Sequence, residues 1–167
     1  MALRNIVTVG DEVLTKKART VINFDGRLAQ LLDDMKQTMQ NADGVGLAAP
    51  QVGILRRAVV VDTGEQVLEL VNPRIIRQSK ETQTGVEGCL SLPGEYGIVT
   101  RPMRVRVRAQ DRRGVWHEYD GEELTARAFC HELAHLEGQM YTEVAERMLT
   151  EEELQEMQKQ AEKEENA

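Results

Sequence analysis

Two histidines and a glutamate share one short stretch of the chain, HELAH at positions 131–135. In an α-helix, residues four apart lie one turn above each other, so His131 and His135 can direct two imidazoles at one metal ion. Glu132 lies beside them, where its carboxylate can carry a proton. The pattern is HExxH, and the pentapeptide alone is equally compatible with a histidine pair that binds no metal.

The segment around this motif has the pattern of a buried helix. An apolar stripe lies roughly opposite the two histidines and is formed by Phe129, Leu133, Leu136 and Met140. Both faces of such a helix are occupied, which places it at the centre of the fold. Thr125 is the predicted N-cap, and Gly138 is the predicted terminator unless it lies inside the last turn.

The remaining pattern predicts one further core helix and several strands. Apolar residues at helical spacing predict an amphipathic helix from Asp25 to about Ala42, and a loop of small residues follows at 44–51. Strands are predicted at 56–62, 67–77, 80–86, 103–109 and 115–120, with EGCLSLPG at 87–94 between two of them. Pro73 indicates an edge or a bulge in the second strand. This order predicts an α+β fold with antiparallel β-sheets packed around a central HExxH helix.

Length and charge favour one domain with an acidic tail. The 167 residues suit a single core, here placed at 1–148, followed by a helical tail at 149–167. Residues 150–167 hold seven Glu against two Lys, which gives −5 of the net charge of −7. Arginines that alternate with apolar residues from Arg104 to Arg108 indicate the solvent face of a strand, and a nucleic-acid patch only secondarily. No apolar run of membrane length and no signal peptide is present, so we expect a cytoplasmic protein.

Three stretches, taken together, resemble a known family. GVGLAAPQ at 44–51, EGCLS at 87–91 and HELAH at 131–135 follow one another as in peptide deformylases. These hydrolases remove the formyl group from the N-terminal methionine of nascent bacterial and organellar proteins. The similarity includes Asp11, Leu14, the segment DMKQTM at 34–39 and the pair Arg101-Pro102, and it extends to about residue 148.

The resemblance implies a set of catalytic residues. Cys89 would be the third metal ligand beside His131 and His135, with Fe²⁺ as the expected ion and Zn²⁺, Ni²⁺ or Co²⁺ as alternatives. Glu132 would move the proton during hydrolysis. The metal ion, the Gln51 side chain and the backbone N–H of Leu90 would together stabilise the negative charge that develops on the formyl oxygen.

The resemblance also implies how the substrate is held. An extended peptide would lie beside Gly44, Val45 and Gly46 and contact Gln51 and Leu90. Glu87 would pair with Arg101 and hold the loop that carries Cys89. Cys130 is interpreted as a packing residue, and Tyr96 as a pocket wall.

The chain departs from the family pattern at a few positions. Ala134 replaces the usual Asp, Cys130 replaces the usual Gln, and Glu95-Tyr96-Gly97 stands where some relatives carry an Arg. Some relatives reach the ribosome through a basic C-terminal helix, whereas this tail is acidic. We therefore expect transient ribosome contact of unknown mode, N-formyl-methionyl nascent peptides as substrates, and neither membrane association nor specific nucleic-acid binding.

Two alternatives remain open at the level of sequence. An HExxH peptidase that cleaves internal bonds is one, although such enzymes usually take their third ligand from a position after the motif, and Cys89 precedes it. A catalytically weakened metal-binding or nascent-chain-binding protein is the other, because Ala134 removes a polar group beside the site.

Overall fold

The computed structural model describes residues 2–166, which form two antiparallel sheets and three α-helices. The strands are β1 Gly46–Ala48, β2 Ala58–Asp62, β3 Val67–Gln78, β4 Thr82–Cys89, β5 Leu92–Pro102, β6 Arg104–Gln110, β7 Trp116–Glu122 and β8 Arg147–Met148. The helices are α1 Gly26–Asn41, α2 Leu124–His135 and α3 Glu151–Glu165.

The strands form one large and one small sheet. The five-stranded sheet has the order β1-β2-β3-β6-β7, and the three-stranded sheet has the order β4-β5-β8. Every pair of neighbouring strands is antiparallel. The predicted α+β class with antiparallel sheets is therefore confirmed. In each sheet a site-bearing strand lies at an edge, because β1 pairs only with β2 and β4 pairs only with β5.

Three strands of the structure, β1, β5 and β8, were not predicted from the sequence. The stretch 87–94 was placed between strands, but β4 runs to Cys89 and β5 starts at Leu92, where these two residues pair across a tight connection. The loop predicted at 44–51 contains β1 and a 3₁₀ turn at Ala49–Val52. Small residues and Pro conceal both elements from a pattern analysis, since they provide little hydrophobic periodicity.

Pro73 lies inside β3, in agreement with the predicted bulge. The pairing of β3 with β6 shifts between Val71 and Arg74, and Asn72 takes a φ of 51°. Proline cannot donate a ladder hydrogen bond, so an irregular register is where it fits in a strand. The Asn72 side chain bonds the backbone of Val21 instead, at 2.8 and 2.9 Å.

Helix α1 covers the five-stranded sheet beside β1 and β2. Asp25 caps it by accepting from the N–H of Leu28, and its apolar face is fully buried. Met35 and Met39 are both 0% exposed and fill the core beneath Leu47 and Val60. This packing holds the strand that reaches the cleft described below.

Helix α2 starts and ends slightly differently from the prediction. Its N-cap is Glu123, with a φ of 53°, and Thr125 lies inside the helix. The helix ends at His135 with Leu136 as its C-cap, so Met140 is not part of the helical stripe. A turn follows, in which Gly138 has a φ of 73° and donates to the His135 carbonyl at 3.1 Å. The helix does not start after Thr125, although threonine is a favoured N-cap residue. A tertiary contact fixes the start instead, because the N–H of Glu123 donates to the Met103 carbonyl at 2.9 Å.

The acidic tail is helical, as its composition predicts. Thr150 caps α3 by accepting from the N–H of Glu153, whose side chain pairs with Arg147. No residue of α3 is buried. The division into a catalytic part at 1–148 and a tail at 149–167 stays a prediction. Between residues 2 and 166, no helix combines the length and the apolar character needed to cross a membrane.

Candidate metal and active site

Three side chains with metal-binding atoms converge beside a cleft of the protein. His131 and His135 lie one turn apart on α2, and Cys89 is the last residue of β4. One donor atom from each lies within 4.8 Å of the others. Cys89 Sγ is 3.4 Å from His135 Nε2, so the second histidine presents this nitrogen to the cysteine. The helix and the small sheet must therefore be held together for the cluster to exist.

His131 is fixed in orientation by a buried carboxylate and an aromatic ring. Its Nδ1 lies 2.8 Å from Glu87 Oε1, and the ring stacks on Tyr141 with centroids 5.7 Å apart. Hydrogen bonds from Arg101 and His131 overcome the effect of burial and lower the pKa of Glu87 to about 2. Glu87 is thus ionised and accepts from Nδ1–H, so Nε2 is the ring nitrogen of His131 that stays available for a metal ion.

Glu132 is buried and has a strongly altered acidity. Burial raises the pKa of this carboxyl to about 7, assisted by the charge of Glu87 and opposed by that of His131. Its Oε1 is buried without a hydrogen-bond partner among the described residues. A carboxyl with a pKa near neutrality can both accept and return a proton at working pH.

Gly46 allows β1 to approach Glu132 closely. A Cβ at this position would lie 2.7 Å from Glu132 Cγ and Oε2. Real side chains do not tolerate such a distance, so any larger residue must displace the glutamate or the strand. Glycine is the residue that leaves the carboxylate in place here.

Replacing Gly46 with alanine is expected to lower catalytic turnover by about 100-fold, because a displacement of roughly 1 Å in a reacting group has effects of that size. Gly26→Ala serves as the control, since a Cβ there meets nothing within 4 Å. Steady-state rates on the formylated peptide that the resemblance predicts as substrate, with metal content measured on the same samples, test this. Near-normal turnover of the Gly46 variant would show that Glu132 does not depend on this close approach.

Gln51 is held in one orientation by its neighbours. Its Oε1 accepts from the N–H of Ala48 at 3.0 Å, and its Nε2 donates to Ser91 Oγ at 3.2 Å and contacts Cys89 Sγ at 3.5 Å. The amide nitrogen therefore directs one N–H at Ser91 and the other at the cysteine. Leu90, the other predicted donor of an N–H, forms the connection between β4 and β5 and contacts the same cleft.

The cleft above these residues has a volume of about 560 Å³. All predicted substrate-contacting residues line it, namely Gly44, Val45, Gly46, Gln51 and Leu90. Tyr96 also forms part of the wall, packed so closely that a Cβ on Gly88 would lie 2.5 Å from its ring. Val86, Leu124 and Ala128 add apolar surface, so the cleft suits an apolar side chain next to a polar reacting group.

Several residues of the site were missed in the sequence. Arg127 donates to Glu87 Oε2 at 2.6 Å, Ser91 accepts from Gln51, and Tyr141 stacks on His131. The N-terminal segment before α1 also contributes, because the N–H of Val7 donates to the Gln51 carbonyl and that of Val9 donates to the Ser91 carbonyl. The position of Arg127, one turn before His131 on the same helix, was the one signal available.

The cluster fits a divalent metal ion. A thiol and two imidazole nitrogens are the donor set of a site with three protein ligands and an open position. Burial disfavours a charge on His131, but the negative charges of Glu132, Cys89 and Glu87 outweigh it and raise the pKa of His131 to about 10. Burial and the charge of His131 lower the pKa of His135 to about 3. The fit to a metal ion rests on the three donor atoms, which all lie within 4.8 Å of one another.

The fold and this cluster define the class of the protein as an HExxH metalloenzyme. Comparison with known proteins identifies the family within this class. The model of the polypeptide deformylase family matches residues 3–151. A peptide deformylase from Caldicellulosiruptor bescii is 52% identical over 98% of this chain and 98% of its own length. One from Alkaliphilus metalliredigens is 55% identical over 86% of this chain and 97% of its own length.

Solved structures agree with these relatives. The crystal structure of peptide deformylase from Thermotoga maritima is 39% identical, with a TM-score of 0.84, and the match covers 87% of this chain and 99% of that one. A peptide deformylase from Synechococcus elongatus in complex with actinonin has a TM-score of 0.83 at 39% identity, over 92% of this chain and 82% of that one. The chain belongs to the polypeptide deformylase family.

Two of the departures noted in the sequence lie on α2. Ala134 is half-buried beside His135, and Cys130 packs against the core cluster that contains Phe129 and Leu136. Burial raises the pKa of the Cys130 thiol. Cys130 is therefore a protonated packing group, separate from the cluster of donor atoms.

Ala134→Asp is expected to raise metal retention or turnover modestly. Polar groups that hydrogen-bond the metal ligands typically contribute 10–100-fold to metal affinity or activity, and most such groups are already present in this site. The metal content after dialysis and the rate on a formyl-methionyl peptide are the measurements. Equal values for both proteins would show that the network around Glu87 already compensates for the missing carboxylate.

Proposed function

We propose that this chain removes the formyl group from the N-terminal formyl-methionine of nascent polypeptides, as a metal-dependent hydrolase. The main support for this function is that Cys89, His131 and His135 lie close together beside a cleft that Glu132 also lines. The chain also belongs to the polypeptide deformylase family. Hydrolysis adds water to the formyl carbon and breaks its bond to nitrogen, which yields formate and a free amine.

Cys89, His131 and His135 are the proposed metal ligands, with Fe²⁺ as the proposed ion and Zn²⁺, Ni²⁺ or Co²⁺ as functional substitutes. When it is bound, the ion supplies Lewis acidity, which lowers the pKa of a water molecule and polarises the formyl oxygen. Glu132 takes the proton of the attacking water and delivers it to the leaving nitrogen, a role that its place in the cleft and its Oε1, unpartnered within residues 2–166, support.

Gln51 and Leu90 are the proposed partners of the formyl oxygen. Gln51 Nε2 is already directed towards Cys89, so its N–H groups can meet negative charge that develops beside the metal site. The backbone N–H of Leu90 is the second proposed donor. Glu87 and Arg101 are joined at 2.8 and 2.9 Å and act on the reaction through His131.

The peptide is proposed to bind as an added strand. Residues of β1 and β4 line the cleft, and within residues 2–166 each of these strands lies at the edge of its sheet. An extended peptide beside Gly44, Val45 and Gly46 can pair with such an edge. The apolar wall of Val86, Leu124 and Ala128 then receives the methionine side chain.

One assay separates this function from the alternatives. The metal-loaded protein is incubated with a formyl-methionyl tripeptide, its unformylated form, and a longer peptide blocked at both ends. We expect formate release from the first and no cleavage of the others. Cleavage of internal bonds would identify an HExxH peptidase, and metal binding without turnover would identify a weakened binding protein.

Action on nascent chains in the cytoplasm requires contact with the ribosome, which we propose to be transient and independent of the tail. Helix α3 is acidic and the ribosomal RNA surface is anionic, so the two repel. Specific nucleic-acid binding is not proposed, because Arg104, Arg106 and Arg108 lie opposite Glu122, Asp120 and Glu118 on the neighbouring strand.

Removal of the residues after Leu149 is expected to leave ribosome association unchanged or slightly stronger, since repulsion is removed. Co-sedimentation of the full-length and trimmed chains with ribosomes, at two salt concentrations, measures this. Clear loss of binding upon trimming would mean that α3 makes a specific contact.

A further inference from the structure

We propose that Arg127 is a positioning residue that sets the distance between the two halves of the metal site. This inference rests on the proposed ligand set. His131 and His135 come from α2 and Cys89 comes from β4, so the donor atoms belong to elements that are far apart in the chain. Their spacing depends on what joins the helix to the three-stranded sheet.

Arg127 joins these two elements directly. Its Nη1 donates to Glu87 Oε2 on β4 at 2.6 Å and to the Val99 carbonyl on β5 at 3.0 Å. Gly85 and Val99 are paired residues of those strands, and a Cβ on Gly85 would lie 3.3 Å from Arg127 Nη2. The guanidinium therefore lies against the hairpin at a point where β4 has no side chain.

The bond from Arg127 completes the coordination of Glu87. Each carboxylate oxygen accepts two hydrogen bonds, Oε1 from Arg101 and His131 and Oε2 from Arg101 and Arg127. A carboxylate has about four acceptor positions, and all of them are occupied here. No position is free for a competing donor, and the four bonds together hold the carboxylate in one orientation. Arg127 and His131 lie one turn apart on α2, and they bond different oxygens of the same group.

Removing Arg127 leaves Glu87 free to move towards Arg101, away from α2. The side chains of Glu87, Arg101 and Arg127 are 4%, 10% and 9% exposed, so water does not replace the lost bond readily. Because Glu87 orients His131 through Nδ1, movement of the carboxylate changes the position of Nε2 relative to Cys89. Loss of such an outer partner typically costs 10–100-fold in metal affinity.

Arg57 provides a control of the same residue type at the other end of the same helix, in a more exposed ion pair. It also donates to a backbone carbonyl and a carboxylate, those of Leu136 at 3.3 Å and Glu137 at 2.9 Å. Arg57→Met thus removes one guanidinium, two hydrogen bonds and one charge next to α2, without contact to Glu87. A general loss of helix anchoring would affect both variants.

The test uses the full-length chain loaded with Co²⁺ alone. The rate at which excess EDTA removes Co²⁺ and the thiolate-to-cobalt absorption band are measured for wild type, Arg127→Met, Arg127→Lys and Arg57→Met. We expect loss about 10–100 times faster and a shifted band for Arg127→Met, partial rescue by Arg127→Lys, and wild-type behaviour for Arg57→Met. If Arg127→Met does not fold, Arg127→Lys alone decides: faster loss than in the wild type supports the proposal, and a wild-type rate overturns it.

A double variant tests whether Arg127 acts through Glu87. In the Glu87→Gln background, Arg127→Met is expected to change the loss rate little, because coupled residues are not additive. Full additivity, wild-type rates for the Arg127 variants, or equal acceleration by Arg57→Met would each overturn the role of Arg127. A wild-type protein without a thiolate band would contradict the proposed ligand set itself, and this inference with it.

Discussion

Glu132→Gln is expected to abolish nearly all deformylation, with a loss of roughly 10²–10⁴-fold, the usual contribution of a positioned acid–base group. The amide has the size of the carboxylate, so it fits the space beside Gly46. It cannot accept the proton of the attacking water or return it to the leaving nitrogen. The metal content is expected to stay at the wild-type level, since Cys89, His131 and His135 are unchanged.

Glu137→Gln is the control for this experiment. Glu137 lies just after the end of α2, the helix that carries Glu132, and pairs with Arg57 at the surface, away from the cleft. Both variants are compared for metal content and turnover on one preparation each. Turnover of Glu132→Gln near that of Glu137→Gln would assign the proton transfer to another group.

Cys89→Ser is expected to lose activity by about 100-fold or more and to bind metal more weakly, because loss of even an outer partner costs 10–100-fold. A serine hydroxyl stays protonated and does not replace the charge of a thiolate ligand. Cys130→Ser, the matched substitution one residue before His131, is expected to have a small effect limited to packing. Activity and metal stoichiometry of the pair are the measurements.

The same two cysteines should differ in their sensitivity to air. The Fe²⁺-loaded protein is expected to lose activity, since the ion and its thiolate are both oxidisable, while the Ni²⁺- or Zn²⁺-loaded protein resists. Mass spectrometry should find oxidation at Cys89 before Cys130, whose pKa is raised by burial. The reverse order, or a fully metallated and active Cys89→Ser protein, would place the third ligand elsewhere.

The local pattern of the sequence determined the helices and the identity of the chemical groups. The 3.6-residue periodicity of α1 and α2 is a property of consecutive residues, and so is the placement of two histidines on one helix face. The order of the three motifs was sufficient to indicate the family and the α+β class, both of which are confirmed. The roles of individual site residues stay predictions until the variants are measured.

Only the tertiary structure decided which residues surround those groups. Arg127, Ser91 and Tyr141 reach Glu87, Gln51 and His131 through contacts between distant segments, and no local pattern contains such information. The N-cap of α2 at Glu123 and the paired strands around Cys89 likewise depend on hydrogen bonds to other parts of the chain. Periodicity reports which face of an element is buried, whereas the partners on that face depend on how the two sheets pack against α2.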